Sequence, residues 1–443
     1  MKKTTPQETH SASQTAASDA PWFTQPDIRQ GRHRMSRRRF VGRAFAGGVG
    51  LAAGLRSLDM LGQEAESAAR SRANVAPRES LRITNLETFV LRNSWVFVKI
   101  TTDAGIVGWG EMLKDKSKAC AVEAQETGKY LIGKDPRRIT HHWQAIYRHG
   151  FYRGGPVLTS VLSGIDQALW DIKGKALGIP VYELLGGPTR DRIRIYGSRR
   201  DVEQGRCKAF KTQLRVDRRA PYRYVEGAAY VQEAVEEFAQ MRESLGADVD
   251  IGIEFHGASQ PQTSLLLMKA LERFQPYFYE EPVQAQNLDV MADLASRTHI
   301  PVATGERVYT KWGFREVLEK KAASILQPDV CYAGGITELR LIAGMAESYY
   351  VPIAPHNPQG PCSLAASCQI AAAIPNFLIQ ERGTNTHEDL LKVPFQQQDG
   401  FLPLPSGPGL GIEIDEEKLM AQVGEPQDYP RTYDREDGSV VDW

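Results

Sequence analysis

The sequence predicts an α/β protein, a parallel (β/α) barrel of the TIM type behind a smaller N-terminal α+β module. Three observations carry this. From residue 191 onward, eight short apolar runs alternate with helix-like stretches in units of about 25 residues, the rhythm of βα units that close into a barrel. Three carboxylates, Glu254, Glu280 and Glu306, recur at intervals of 26 residues, each at the end of one such run: DIGIEFHG (250–257), PYFYEEP (276–282) and IPVATGE (300–306). No Gly-rich nucleotide loop follows the first run, which counts against a doubly wound open sheet.

The first 76 residues stand apart. Residues 1–35 are polar, and SRRRFVG (36–42), with Ser36, Arg37, Arg38, Phe40 and Val41, leads into the Gly/Ala-rich run AFAGGVGLAAGL (44–55). An arginine pair ahead of a modest apolar segment is the twin-arginine export pattern. The region is therefore expected to be a disordered n-region and signal, with small residues for cleavage at Ser67-Ala68-Ala69. The apolar run is too short and too rich in glycine to span a bilayer stably. The expected partner is the twin-arginine machinery, and the expected location is periplasmic or extracytoplasmic.

Residues 81–190 form the α+β module. LRITNLETFVLR and WVFVKITTD alternate apolar and polar residues, and Asp103-Ala104-Gly105 makes a tight turn, so 81–112 reads as strand, turn, strand. Helical patterns follow at 117–132, 138–149 and 163–177; in the last, Ile165, Leu169, Ile172 and Leu177 share a face, and Gly178 and Pro180 end it. The barrel covers 191–390. Its other strands are IRIYGS (193–198), KAFKTQL (208–214), SILQPD (324–329), VPIAPHN (351–357) and NFLIQE (376–381). Helices are expected at 228–246, 335–348 and 363–373. Residues 391–443 are a C-terminal segment in which Leu410, Ile412 and Ile414 alternate, so it is expected to pack back on the N-terminal module.

The chain has 443 residues, no net formal charge and 42% hydrophobic residues. That balance suits a globular protein with a large core and gives no pull toward nucleic acid or acidic membranes. The five cysteines, Cys120, Cys207, Cys331, Cys362 and Cys368, are odd in number and lack zinc-site spacing; they read as packed thiols.

Chemistry in such a barrel sits at the carboxyl ends of the strands, where the three glutamates fall. Taken singly, each would pass for a surface glutamate. Together they repel, and an oxygen-preferring divalent cation is the simplest neutraliser. Asp329 and His356 end the sixth and seventh strands, which are neighbours. A carboxylate beside an imidazole fixes its tautomer and raises its basicity, which suits a general base. Glu381 ends the eighth strand. His256, two residues after Glu254, is brought to the same side by period-two alternation and is a candidate proton donor. Lys211 and Gln213 share one face of the second strand.

The chain also carries GWGE (108–111), FYRGGP (151–156), GIDQALWDIKGKALGIPVYELLGG (164–187), EEP (280–282), ATGER (303–307), ILQPD (325–329), AGGITE (333–338), APH (354–356), IQE (379–381) and GPGLGIEIDE (407–416). With these, the stretch from about residue 82 to Trp443 resembles the enolase superfamily in its mandelate racemase and muconate lactonizing branch, most of all the galactonate dehydratase group. The resemblance implies a modified, enolase-like barrel under a capping domain. It implies one Mg²⁺ per active site, with Mn²⁺ as the other candidate, at Glu254, Glu280 and Glu306, Glu281 lying outside the ligand set. It further implies the Asp329–His356 pair as base, Glu381 hydrogen-bonded to the enolate oxygen, His256 as acid, an acid-sugar substrate and a homo-oligomer.

The chain departs from that pattern in places. Glu254 stands where the group has aspartate, and Gln213 where racemases have a second lysine and galactonate dehydratases asparagine. Loss of that lysine argues against two-base racemisation. Asn357 and Gln359 add polar groups beside the base, and Asn93-Ser94-Trp95 lie in the loop expected to cover the substrate. The expected substrate contacts are Lys211, Gln213, Trp95 and Asn357. The reading is an exported Mg²⁺-dependent acid-sugar dehydratase giving a 2-keto-3-deoxy acid. The alternatives are another reaction on the same enolate, an epimerase or cycloisomerase, and a non-catalytic exported sugar-acid binding protein.

Overall fold

The computed structural model describes residues 75–76, 79–214, 228–383, 386–427, 433 and 438–440; the expected twin-arginine segment lies outside them. The capping module is an antiparallel meander of β1 (Ile83–Val90), β2 (Val96–Thr102) and β3 (Val107–Met112), followed by helices Ser117–Leu131, Ile139–His149 and Pro156–Leu177. The sequence pattern resolved one strand too few here, because glycines mute the alternation in β3. They are needed for a close approach. A Cβ at Gly108 or Gly110 would collide with the backbone carbonyls of Ala168 and Gly164, so the helix Pro156–Leu177 lies directly on the strand.

That helix starts with proline in its first turn and ends on Gly178 in the left-handed region, φ 72°, as helix-terminus chemistry favours. Ile165, Leu169 and Ile172 are buried, but so are Asp166, Gln167 and Asp171. Their hydrogen bonds explain how polar groups survive there. Asp166 accepts from Thr337 Oγ1 at 2.5 Å and Thr337 N–H at 3.0 Å. Gln167 Nε2 donates to Val330 O at 3.2 Å. Asp171 accepts from Trp109 N–H at 3.0 Å and Leu410 N–H at 2.9 Å. The helix thus joins the capping sheet, the C-terminal segment and the loop after the sixth barrel strand.

The barrel strands are β4 (Arg192–Tyr196), β5 (Ala209–Thr212), β6 (Asp250–Glu254), β7 (Phe278–Glu280), β8 (Val302–Thr304), β9 (Ile325–Leu326) and β10 (Gln380–Glu381). The seventh stave is reduced to Ile353, bridged to Leu326 and Phe377. Neighbours pair in parallel, β10 pairs with β4, and a bridge from Gly197 to Phe210 joins β4 to β5, so the ring closes. Tyr196, Ala209, Phe278, Ala303, Ile325, Ala354 and Ile379 form one apolar cluster. Gly252 leaves room for the Phe278 ring, which a Cβ there would meet at 2.5 Å. Burying a phenylalanine in this way contributes roughly 1.5–3 kcal/mol.

The C-terminal segment touches both the barrel and the capping module. β11 (Phe401–Pro403) runs antiparallel to β4. Ile414 and Leu419 are buried with Leu91, Trp95, Phe97 and Trp109 of the capping module. All five cysteines are buried free thiols. Among the described residues, no helix is long and apolar enough to cross a membrane.

Candidate active site

Parallel pairing places Glu254 directly beside Glu280 at the ends of β6 and β7, and Glu306 follows two residues past β8. Lys211, near the end of β5, supplies their first counter-charge. Its Nζ lies 2.7 Å from Glu280 Oε1, 3.1 Å from Glu254 Oε1 and 3.3 Å from Glu381 Oε1. Glu280 is completed by Gln327 Nε2 at 2.5 Å. Among the described residues, the cluster whose ligand atoms stand close enough to share one ion is Glu254, His256 and Glu306; the Glu280 carboxylate is turned toward Lys211 and Gln327.

His256 Nε2 is 2.7 Å from Glu254 Oε1, and His256 Nδ1 is 2.5 Å from Gln213 Nε2. The two residues meet as expected, but by a different route. β6 ends at Glu254, and His256 takes a left-handed backbone, φ 54°, so a turn and not strand alternation points its ring inward. On the far side, His356 Nδ1 is 2.8 Å from Asp329 Oδ2, while its Nε2 is 3.2 Å from Glu306 Oε2 and 3.9 Å from Glu381 Oε2. Asp329 is fixed in turn by the Cys331 N–H at 2.7 Å, and Glu381 by the Asn357 N–H at 2.7 Å.

Burial raises the carboxyls of Glu254, Glu280 and Glu306, and the neighbours decide the outcome. For Glu254, Lys211 and His256 outweigh burial and hold it down at about 2. Glu306 is held below the usual carboxylate range, mainly by His356 against burial. For Glu280, burial reinforced by Glu254, Glu306 and Glu381 outweighs Lys211 and pushes it up to about 8. Burial alone would lower both imidazoles. Glu254 and Glu306 instead raise His256, and Glu381 and Glu306 raise His356 well above its ordinary value.

The charges do not balance. Five carboxylates, Glu254, Glu280, Glu306, Asp329 and Glu381, surround one ammonium and two imidazoles. Arg307 reaches Glu306 only at 3.7 Å and is committed to Glu281, whose Oε2 accepts from its Nε at 2.7 Å. With all five carboxylates ionised and both imidazoles protonated, two negative charges remain, and a proton on Glu280, which burial pushes up to about 8, leaves one. A donor set of buried carboxylates with that surplus fits a divalent, oxygen-preferring cation. Glu281 also accepts from Thr304 Oγ1 at 3.0 Å.

Of the expected substrate contacts, Lys211 and Gln213 border the charged cluster. Trp95 and Asn357 are buried in the wall. The Trp95 ring has Lys114 Nζ at 5.1 Å and His387 at 4.9 Å. The Asn357 side-chain amide has no hydrogen-bond partner among the described residues. Sequence reasoning missed Gln327, although it stands two residues before Asp329 and alternation could have found it. It also missed Tyr196, whose hydroxyl is buried, without a hydrogen-bond partner among the described residues and close enough to Glu381 and Lys211 to feel both; nothing local marks it.

The sequence pattern of the mandelate racemase/muconate lactonizing enzyme N-terminal domain matches residues 73–186, and that of the enolase C-terminal domain-like family matches residues 197–418. The chain belongs to the enolase superfamily, in this branch. D-galactonate dehydratases of Ralstonia nicotianae and Cronobacter sakazakii are each 42% identical to it over 383 residues, covering 82% of this chain and all of theirs. This enolase-superfamily chain is accordingly a carbon–oxygen lyase of the dehydratase type. Among solved structures, an Agrobacterium radiobacter enolase with sodium and L-malate bound is 32% identical, with TM-score 0.75 over 81% of this chain and 99% of that one. A Salmonella Typhimurium member of the superfamily is 31% identical, with TM-score 0.73 over 78% and 99%.

Proposed function

We propose that this enolase-superfamily lyase is a Mg²⁺-dependent acid-sugar dehydratase with a galactonate-like aldonate as substrate, exported by the twin-arginine pathway. The observation that carries the mechanism is the pair of imidazoles on opposite staves of the barrel, each backed by its own carboxylate. His356 comes from the seventh strand and is backed by Asp329 from the sixth, and His256 with Glu254 comes from the third.

A proton α to a carboxylate is very weakly acidic, and its removal builds negative charge on the carboxylate oxygens. A cation held by Glu254, Glu280 and Glu306 would supply the stabilisation of that charge. The chain's own groups do the rest. Asp329 holds Nδ1 of His356, leaving Nε2 as the atom that faces the site and, in the neutral imidazole, takes the α-proton. Glu381, oriented by the Asn357 N–H, donates a hydrogen bond to the enolate oxygen when its carboxyl carries a proton. His256 gives a proton to the β-hydroxyl, which leaves as water, and the enol tautomerises to a 2-keto-3-deoxy acid. Lys211 and Gln213 contact the substrate beside the acid, and Trp95 covers it. A substrate contact from Asn357 requires its amide to turn out of the wall. Gln213 in place of a second lysine leaves a single base, which supports elimination over racemisation.

The test is a panel of galactonate, gluconate, fuconate, arabinonate and glucarate with mature protein and Mg²⁺, assayed for 2-keto-3-deoxy product. One member is expected to be dehydrated. Exchange of the α-proton in deuterated water without product would replace the dehydratase with an epimerase or cycloisomerase, and tight binding without either would indicate a binding protein. For export, Arg37→Lys with Arg38→Lys is expected to retain the precursor in the cytoplasm of an expressing cell. Unchanged export of that variant would exclude the pathway.

A further inference from the structure

Strand β3 carries a carboxylate for which the reaction has no use. Glu111 has no exposed surface and belongs to the capping module, yet the barrel takes both its oxygens. Gly360 N–H donates to Oε1 at 2.5 Å and Ser363 N–H to Oε2 at 3.0 Å. These groups open the helix Pro361–Ala373, whose N-cap residue Gly360 offers no side-chain cap of its own. The first N–H groups of a helix lack partners within it, and a carboxylate at that end is favoured by the helix dipole. Here a residue from the other domain provides it.

The segment so held is short and contains the base. His356, Asn357, Pro358, Gln359 and Gly360 run from the seventh stave to this helix. At its near end, the Asn357 N–H is tied to Glu381 at 2.7 Å. In its middle, Lys114 Nζ, again from the capping module, donates to Pro358 O at 3.3 Å. The Asn357 amide and Gln359 Oε1 make no hydrogen bond among the described residues, so these side chains do not brace the segment. A Cβ at Gly360 would meet Glu111 Oε1 at 2.8 Å and the Trp95 ring at 2.9 Å, which shows how directly it lies on the cap.

We propose that Glu111 is a positioning residue that holds segment 356–360 where His356 faces Asp329, so that the seating of the capping module sets the geometry of the base. The inference rests on the reading of His356 as base. A displacement of about 1 Å at a reacting group can cost on the order of 10²-fold in rate.

Glu111→Gln is the test. Burial pushes the Glu111 carboxyl up to about 8 against the pull of the Ser363 and Gly360 N–H groups, so the comparison is made above that pH, where both oxygens accept; a carboxamide has one acceptor oxygen, and its NH₂ would face an N–H donor, so one of the two ties is lost. Three readouts are expected to move. Amide hydrogen exchange at Gly360 and Ser363 quickens. The proton resonance of His356 Nδ1–H, hydrogen-bonded to Asp329, shifts or broadens. kcat falls by about 10²-fold with little change in KM. Glu111→Asp, which keeps both acceptors on a shorter arm, is expected to show smaller changes of the same kind and serves if the glutamine variant does not fold. Unchanged exchange at Gly360 and Ser363 together with an unchanged Nδ1–H resonance in the folded variant overturns the proposal. The first two readouts need no substrate. If they move while no acid sugar is turned over, the dehydratase reading falls and the role of Glu111 stands.

Discussion

Replacing His356 with alanine is expected to lower kcat for acid-sugar dehydration by about 10⁴-fold, the upper end of what a positioned acid–base group supplies. KM should change little, because the ring meets the α-proton only on the way to the transition state. Exchange of the α-proton in deuterated water should disappear with it. The reason lies in the geometry. Nδ1 is committed to Asp329 at 2.8 Å, and Nε2 faces inward toward Glu306 and Glu381. The substitution also leaves Asp329 and Glu306 without their imidazole, so His356→Asn, which keeps a polar group near Asp329, separates loss of chemistry from loss of fold. His256→Ala should behave differently, retaining α-proton exchange while losing elimination, since protonation of the leaving hydroxyl follows proton removal. Turnover by His356→Ala within tenfold of the unsubstituted rate would move the base elsewhere.

Removal of divalent ions is expected to abolish turnover and to lower the thermal midpoint, and Mg²⁺ should restore both. The unbalanced carboxylates around Lys211 are the cause. An ion bound only by the folded state at 100 times its Kd stabilises by about 2.7 kcal/mol. Glu280→Gln should shrink that thermal gain, because it removes one of the three proposed ligands and leaves its amide toward Lys211. The effect should also depend on pH in a definite direction. Burial and its acidic neighbours push Glu280 up to about 8, so a proton competes with the cation below that value, and Mg²⁺ affinity should weaken as pH falls from about 8. Equal thermal midpoints in chelator and in Mg²⁺ would mean that no ion binds at this cluster.

Much of this site was legible because barrel chemistry writes itself at strand ends. Glu254 and Glu280 terminate runs that the structure confirms as strands, and Asp329 and His356 come together from neighbouring staves that share no local sequence. The seventh stave shows the limit. It is a single bridged residue, Ile353, and only the ring of neighbours makes it a strand. Gly108 and Gly110 show another, because their purpose is an approach between two elements that no alternation reveals. Glu111 shows a third. A buried carboxylate is recognised by its partners, and Gly360 and Ser363 lie some 250 residues away.

The sequence alone determined the architecture and the residue types of the site, because βα periodicity and the recurrence of acids at strand ends are local, repeated signals. The tertiary structure decided what those residues are bonded to. It set Lys211 between Glu254 and Glu280, turned His256 inward on a left-handed residue, and bound the segment behind His356 to a carboxylate from the capping module. Contacts of that kind depend on packing between distant elements, where the free energy of a buried charge is fixed by its nearest partners and not by the residues beside it in the chain.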